Sequence, residues 1–305
     1  MTTAPLDGPS DAPWVLRPGA RVLRRDRDHL QVGLEAETAV VVPDTPEHRA
    51  LLRAWSAGEQ LADLATHPLG RRLADAGLVV DARGLRAAPP STAPLARHAA
   101  AAAVLEQPSP RTPLTPHLHP YGGPPGRALA HRLESLLDEC GVVGGAGTPA
   151  VGVLIGVGQP PRTVADAWLR AGLPHLVVGV DEGRWTAGPL VEPTRTACLR
   201  CLDAHRAEED PCWPLLVEQC GDDAGERADG APAPVDPALA ALTLGWAARD
   251  LLTWARGGRP ATWSTTVRLA TPVATPRGTA PLETVTAATW RRHPACGCSW
   301  DLAAA

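Results

Sequence analysis

The chain has 305 residues, 44% of them apolar and 20% charged, which is enough for one large or two ordinary domains with cores of their own. A net charge of −4 and a pI of about 6.2 lack the basic surplus of a protein built around nucleic-acid backbone. The chain also holds neither an apolar run long enough to span a bilayer nor the basic-then-apolar start of a secretory signal. It reads as cytoplasmic, where thiols stay reduced, so its seven cysteines point to metal binding or catalysis rather than disulfides. Lys, Phe and Asn are absent, and every basic side chain is Arg. That bias follows GC-rich codons and leaves no lysine for catalysis.

Residues 1–13, rich in Pro, Ser and Asp, read as a disordered tail. A compact module is predicted over 14–86. Residues 21–33 alternate apolar and polar around an Arg–Asp cluster, and 38–42 are β-branched, so together they predict a small antiparallel sheet. Asp44 or Thr45 can cap a helix that opens on Pro46 and Glu47, carries Leu51, Leu52 and Trp55 on one side and stops at Gly58. A short helix near 61–64, a third helix over 68–76 and a strand over 78–81 complete a β-β-α-α-α-β order that resembles a winged helix-turn-helix. Residues 87–120, rich in Ala and Pro, read as a linker interrupted by an alanine helix over 97–105; His117 and His119 fall in it as a polar loop, with a metal site as the alternative reading.

The remainder, 121–305, predicts an α/β domain. It has a helix over 126–140, an all-apolar strand Val151–Val157, a helix over 163–171 and a second buried strand over 175–180. An edge strand or hairpin over 184–191, a long helix over 236–256 and a strand over 263–269 follow. Two glycine-rich stretches, 121–126 and 144–150, read as turns. The second follows a helix and opens a strand, the reverse of a phosphate loop, while the first lacks a good strand before it and puts two prolines where amides would cradle oxygen.

The strongest chemical signal is a pair of close cysteine pairs. Cys198 and Cys201 form a CxxC, and Cys296 and Cys298 form a CxC. Four thiolates suit one structural zinc ion and leave it no open position. Arg195, Arg200, Arg291, Arg292 and His293 lie near enough in sequence to offset their charge. A redox CxxC is the rival reading, but it leaves the CxC unexplained. Cys140, Cys212 and Cys220 read as ordinary packed residues.

Residues 188–214 (GPLVEPTRTACLRCLDAHRAEEDPCWP), with 293–300 (HPACGCSW), resemble the ThiF-type, ubiquitin-activating-enzyme-like proteins of actinobacterial azole-peptide clusters, described as cyclodehydratase-related or leader-peptide-binding. The resemblance implies zinc on Cys198, Cys201, Cys296 and Cys298. It also implies an N-terminal winged-helix-like peptide-recognition module ahead of a Rossmann-like domain, from whose family pattern this sequence departs in a shortened first βαβ unit and a degraded nucleotide loop. Such modules take a leader peptide as an added strand beside an apolar helix groove. The residues expected to bind it are Val22, Leu23, Arg24, Arg25 and Arg27 on the strand side and Leu51, Leu52 and Trp55 on the helix side. The partners implied are a precursor peptide leader and a YcaO-type or other modifying enzyme, with a homodimer as the common assembly; nucleic acid and membrane are not expected. ATP is not expected either, since no lysine is present to neutralise phosphates. Two alternatives stand beside this reading: an ATP-dependent adenylating enzyme using Arg162 or Arg170, and a winged-helix DNA regulator reading through Arg71 and Arg72.

Overall fold

The computed structural model describes residues 14–58, 67–82, 85, 92–105, 114–142, 150–220, 231–270, 274–275, 278–279 and 285–299. The chain falls into two compact units that part between Pro108 and Ser109.

In the first unit the period-two pattern becomes strands β2 (Val22–Arg24), β3 (His29–Val32) and β4 (Val40–Pro43), an antiparallel sheet in the order β2-β3-β4. A strand the pattern did not announce, β1 (Trp14–Leu16), pairs antiparallel with β5 (Val79–Asp81); three residues are too few to show a period. Helix α1 (Pro46–Ser56) is capped by Thr45, whose hydroxyl accepts from the His48 amide at 3.1 Å, and Gly58 follows it at φ +85°. Helix α2 (Pro68–Asp75) buries Leu69 and Leu73 with Leu16, Leu30, Val32, Val42, Leu52 and Trp55 in one core. The alanine helix is α3 (Ala96–Leu105). The short helix expected near 61–64 lies outside the described residues.

The second unit is built on a six-stranded mixed sheet in the order β13-β10-β9-β8-β7-β6. Strands β6 (Pro116–Tyr121), β7 (Val151–Val157) and β8 (His175–Asp181) are parallel. Helix α4 (Gly123–Glu139) connects β6 to β7, and α5 (Arg162–Arg170) connects β7 to β8. Beyond β8 the sheet turns antiparallel through β9 (Arg184–Val191), β10 (Thr265–Ala270) and β13 (Val285–Thr289); β11 (Ala274–Thr275) and β12 (Gly278–Thr279) form a separate small hairpin. Successive residues of β7 and β8 point to opposite faces, and both faces are buried. Val153, Ile155, Leu176 and Val178 pack with α4 and with α8 (Pro237–Ala255), while Leu154 and Val177 pack on the other side with α5 and α6 (Leu199–Glu209). A short helix, α7 (Trp213–Gln219), follows α6. No helix among the described residues is long and apolar enough to cross a membrane.

Three sequence expectations are corrected. The linker over 87–120 is shorter than expected, because its last five residues lie in β6 and belong to the sheet. Its prolines disguised it. Pro116 and Pro120 stand four apart on one side of the strand, and at a sheet edge one side needs no ladder partner. His117 and His119 therefore sit on a strand, with ring centroids 5.9 and 6.1 Å from Trp168, rather than in a polar loop. The strand at 184–191 is interior rather than at an edge, since it pairs with both β8 and β10. Cys212 and Cys220 are exposed rather than packed, and Cys140 is half-buried.

Glycines set how closely the loop after β6 approaches the sheet. A Cβ at Gly126 would lie 1.8 Å from the Tyr121 carbonyl oxygen, and one at Gly156 would lie 2.1 Å from the same atom. Gly245, in the middle of α8, has open space around it. Gly126→Ala should therefore cost about 2 kcal/mol or more through forced backbone displacement. Gly245→Ala should gain up to about 1 kcal/mol from helix propensity alone. Denaturant unfolding of the two variants beside the parent checks both signs.

Candidate functional site

The cysteine pairs meet. Cys198 precedes α6 and Cys201 lies in its first turn, three residues on and hence on the same side of the helix; the amides of Cys201 and Leu202 donate to the Cys198 carbonyl at 3.0 and 3.2 Å. Cys296 and Cys298 flank Gly297 in a tight turn. Cys198 Sγ lies 3.7 Å from Cys201 Sγ and 3.6 Å from both Cys296 and Cys298, and Cys201 lies 3.3 Å from Cys298. A tetrahedral ion with metal–sulfur bonds of about 2.3 Å needs sulfurs about 3.7 Å apart, so the four can hold one metal ion. Disulfide bonding would need about 2.05 Å. Hydrogen bonding to Cys201 and Cys298, then burial, push the Cys198 thiol up, and burial pushes Cys296 up to about 12. Four thiolates cannot coexist here without a cation among them.

The arginines expected to offset that charge are mostly committed elsewhere. Arg200 pairs with Asp166 at 3.0 Å and Glu218 at 3.1 Å, and Arg195 pairs with Glu192 and stacks over Trp263. Arg292 does reach the site, donating to the Cys298 carbonyl. Ser264 was not anticipated. It is buried, and its hydroxyl accepts from the Ala197 amide at 2.9 Å and donates to the Trp290 carbonyl at 2.8 Å, so one side chain ties both cysteine-bearing segments together. No local pattern marks a lone serine more than thirty residues from either pair.

A crevice opens beyond the carboxyl ends of β7 and β8, where α/β sheets bind ligands. The stretch Tyr121–Gly126 opens a helix, as its sequence indicated, and does follow a strand, contrary to expectation. Tyr121 holds the place of the first glycine of a nucleotide loop. Its ring fills the trough left by Gly156 and Gly179: a Cβ on Gly179 would lie 2.3 Å from its hydroxyl, which donates to the Val178 carbonyl at 3.3 Å. The cavity at the Tyr121 ring, lined also by Gln159, Arg162 and Asp181, measures about 90 Å³, below the several hundred Å³ of ligand pockets; a second of about 360 Å³, lined by Gln159, Asp181, Arg206 and Arg268, adjoins it. Arg162 is buried in a two-pronged pair with Asp203, 2.9 Å on each arm, and Trp213 also donates to Asp203 at 3.0 Å. Burial raises the Asp203 pKa, but the Arg162 hydrogen bond and charge hold it below its ordinary value. The second glycine stretch, 144–149, lies outside the described residues.

In the first unit a groove runs between β2 and α1, lined by Val22, Arg24, Leu30, Asp44, Leu52 and Arg53, with Arg49 and Ser56 on its helical wall. Of the residues named from sequence, Val22, Arg24 and Leu52 line it, while Leu23, Arg25, Arg27, Leu51 and Trp55 do not. Strand periodicity explains the split on β2, since Leu23 faces away from Val22 and Arg24. Arg25 donates to Gln31, and Trp55 packs into the core against His67. The missed residues of the wall, Arg49, Arg53 and Ser56, share with Leu52 the three-and-four spacing of one helix face, a signal present in the sequence. Asp44 lies between Arg24, at 3.3 Å, and Arg49, whose hydrogen bond holds its carboxyl below the usual value. Three guanidinium groups against one carboxylate leave the groove positive. The outer edge of β2 has no strand neighbour among the described residues.

No protein-family model matches the chain, and no curated protein does. Solved structures do. The heterocyclase TruD superposes with a TM-score of 0.60 at 15% identity, over 94% of this chain and 42% of that one. A heterocyclase in complex with substrate and cofactor gives 0.58 at 16%, over 94% and 39%. MccB of E. coli with succinimide gives 0.53 at 11%, over 95% and 99%. The chain thus has a fold like that of MccB and of part of the heterocyclases. It spans less than half the length of the heterocyclases and nearly all of MccB.

Ser264→Ala should leave the Ala197 amide without its acceptor and cost about 1–3 kcal/mol. The measurement is thermal unfolding together with reactivity of the four thiols toward an alkylating reagent; faster modification of Cys298 is the expected companion of the lost stability.

Proposed function

We propose that this protein binds the leader of a ribosomally made precursor peptide and presents it to a separate modifying enzyme, of cyclodehydratase or YcaO type. The observation that carries the reading is the groove between β2 and α1. It has an apolar floor of Val22, Leu30 and Leu52, arginines on its rim and beside it a strand edge without a strand neighbour among the described residues. An extended peptide can add its backbone to such an edge and its side chains to such a groove. The first unit is on this reading a winged-helix-like recognition module, and Arg24, Arg49 and Arg53 favour a leader with acidic residues among its apolar anchors. Leu23, Arg25, Arg27, Leu51 and Trp55 then support the groove without lining it. Similarity to MccB, which has been solved in complex with N-formylated MccA, and to heterocyclases supports a peptide substrate.

The second unit is on this reading a ThiF-type scaffold carrying one structural zinc on Cys198, Cys201, Cys296 and Cys298. Closed by four thiolates, the ion supplies no reaction chemistry; the cysteines clamp the start of α6 to the end of the chain. Cysteines kept out of disulfides for metal binding suit the reducing cytoplasm. Tyr121 in the glycine trough, Arg162 committed to Asp203 and the absence of lysine all argue against adenylation, so ATP–pyrophosphate exchange should stay at background. A homodimer and a YcaO-type partner fit the family resemblance and belong to the same proposal.

Cys198→Ser and Cys298→Ser should each leave less than one zinc per chain by elemental analysis. They should also lower the melting temperature by about 10 °C, the shift for about 3 kcal/mol in a unit this size. Full zinc in the quadruple variant would show the assignment to be wrong.

Isothermal titration against precursor peptides encoded beside the gene should give saturable binding. Arg24→Glu with Arg53→Glu, or Val22→Asp, should weaken it about tenfold or more, while Arg71→Glu on α2 should leave it unchanged. No binding to any such peptide, or equal binding by all variants, would sink the reading.

A further inference from the structure

Beside the cysteine cluster a second group of side chains converges that the proposed function does not use. His205 and Glu208 stand three apart on α6, on one side of the helix, and His293 comes from the segment that leads into Cys296. One nitrogen or oxygen from each lies within 4.8 Å of the other two. The two imidazole rings meet edge to face with centroids 4.7 Å apart.

We propose that His205, Glu208 and His293 form a second, solvent-open site for a divalent transition-metal ion. Two imidazoles and one carboxylate are the ligand set that borderline ions such as Co²⁺, Ni²⁺ and Zn²⁺ take, with water in the remaining positions. His205 already has the orientation of a ligand. Its Nε2 faces the Arg291 carbonyl at 2.9 Å and donates to it, which fixes the tautomer and turns the Nδ1 lone pair toward Glu208 Oε2, 3.7 Å away. Glu208 is exposed, so an ion held there keeps access to water. His293 is the gated member. Its Nε2 is 2.9 Å from Glu208 Oε1 and its Nδ1 accepts from the Ala295 amide at 3.1 Å, so in the ion-free state the Nε2 proton is shared with the carboxylate. Metal binding moves that proton to Nδ1 and turns the Ala295 amide to solvent, where Ala295 already lies. The His293–Glu208 hydrogen bond is on this view the closed form of the site. The cysteine cluster holds the segment bearing His293 against α6, so the second site depends on the first for its geometry.

The test uses the full chain with its cysteine cluster filled by zinc, which cobalt does not displace. Co²⁺ is titrated in by calorimetry and followed in the visible spectrum. One further equivalent is expected, with weak ligand-field bands and none of the intense thiolate charge-transfer of cobalt on cysteine. Its affinity should fall about tenfold or more in His205→Ala and in Glu208→Gln, two partly exposed positions whose variants should fold and keep their zinc. Failure of the parent protein to take up a second equivalent, or uptake that both variants leave unchanged, would reduce the cluster to a hydrogen-bonded latch between α6 and the C-terminal segment and overturn the proposal.

Discussion

The second unit rests on two adjacent strands, Val151–Val157 and His175–Asp181, whose side chains are buried on both faces of the sheet. A strand apolar on both sides cannot face water, so it must be covered twice. Helices α4 and α8 cover one face. The other is covered by α5 and α6, and the packing that closes it includes Cys198, Cys201 and Cys296 themselves. The cysteine cluster is therefore part of the second layer of the core. Its four sulfurs lie at metal-binding separations because α6 must lie flat on Leu154 and Val177, and because Ser264, at the start of β10, binds the backbone on both approaches to the cluster.

The same sheet carries a crevice in the place where related architectures hold a ligand, and this chain has filled it from within. The strand–turn–helix geometry persists, with glycines at 122, 123 and 126 that tolerate the close approach of backbone to backbone. A tyrosine stands at the head of the turn, however, and its ring lies over two paired glycines of the central strands. Arg162, which in a free state could meet a phosphate, spends both arms on Asp203. The strand–turn–helix architecture of a ligand site is kept, while the tyrosine ring and the Arg162–Asp203 pair take up its floor.

In the first unit the distribution is reversed. The core is small and its scaffolding ordinary, but the face between β2 and α1 is left open, apolar at the bottom and basic at the rim. Asp44 keeps two of the arginines poised by pairing with both. Surfaces that combine an open strand edge, an apolar floor and an excess of one charge are suited to an extended chain of the opposite charge.

Much of this was legible in the sequence. The paired cysteines announced a shared cluster because thiolates at spacings of three and two can reach one centre. The apolar runs at 151–157 and 175–180 announced a buried sheet because nothing else hides both faces of a strand. The period-two pattern at 21–33 and the cap at Thr45 announced the hairpin and α1. Tertiary structure decided what depends on neighbours distant in the chain. An edge accepts prolines that a central strand would reject, which is how residues 116–121 became a strand despite reading as a linker. Only the register of β2 against β3 and α1 separated Val22 and Arg24, which line the groove, from Leu23 and Arg25, which do not. Only the pairing of Gly156 with Gly179 made room for the Tyr121 ring, and only the fold brought Ser264 between segments it never approaches in sequence. Local patterns record what a residue needs; which partner meets that need is fixed by packing across the chain.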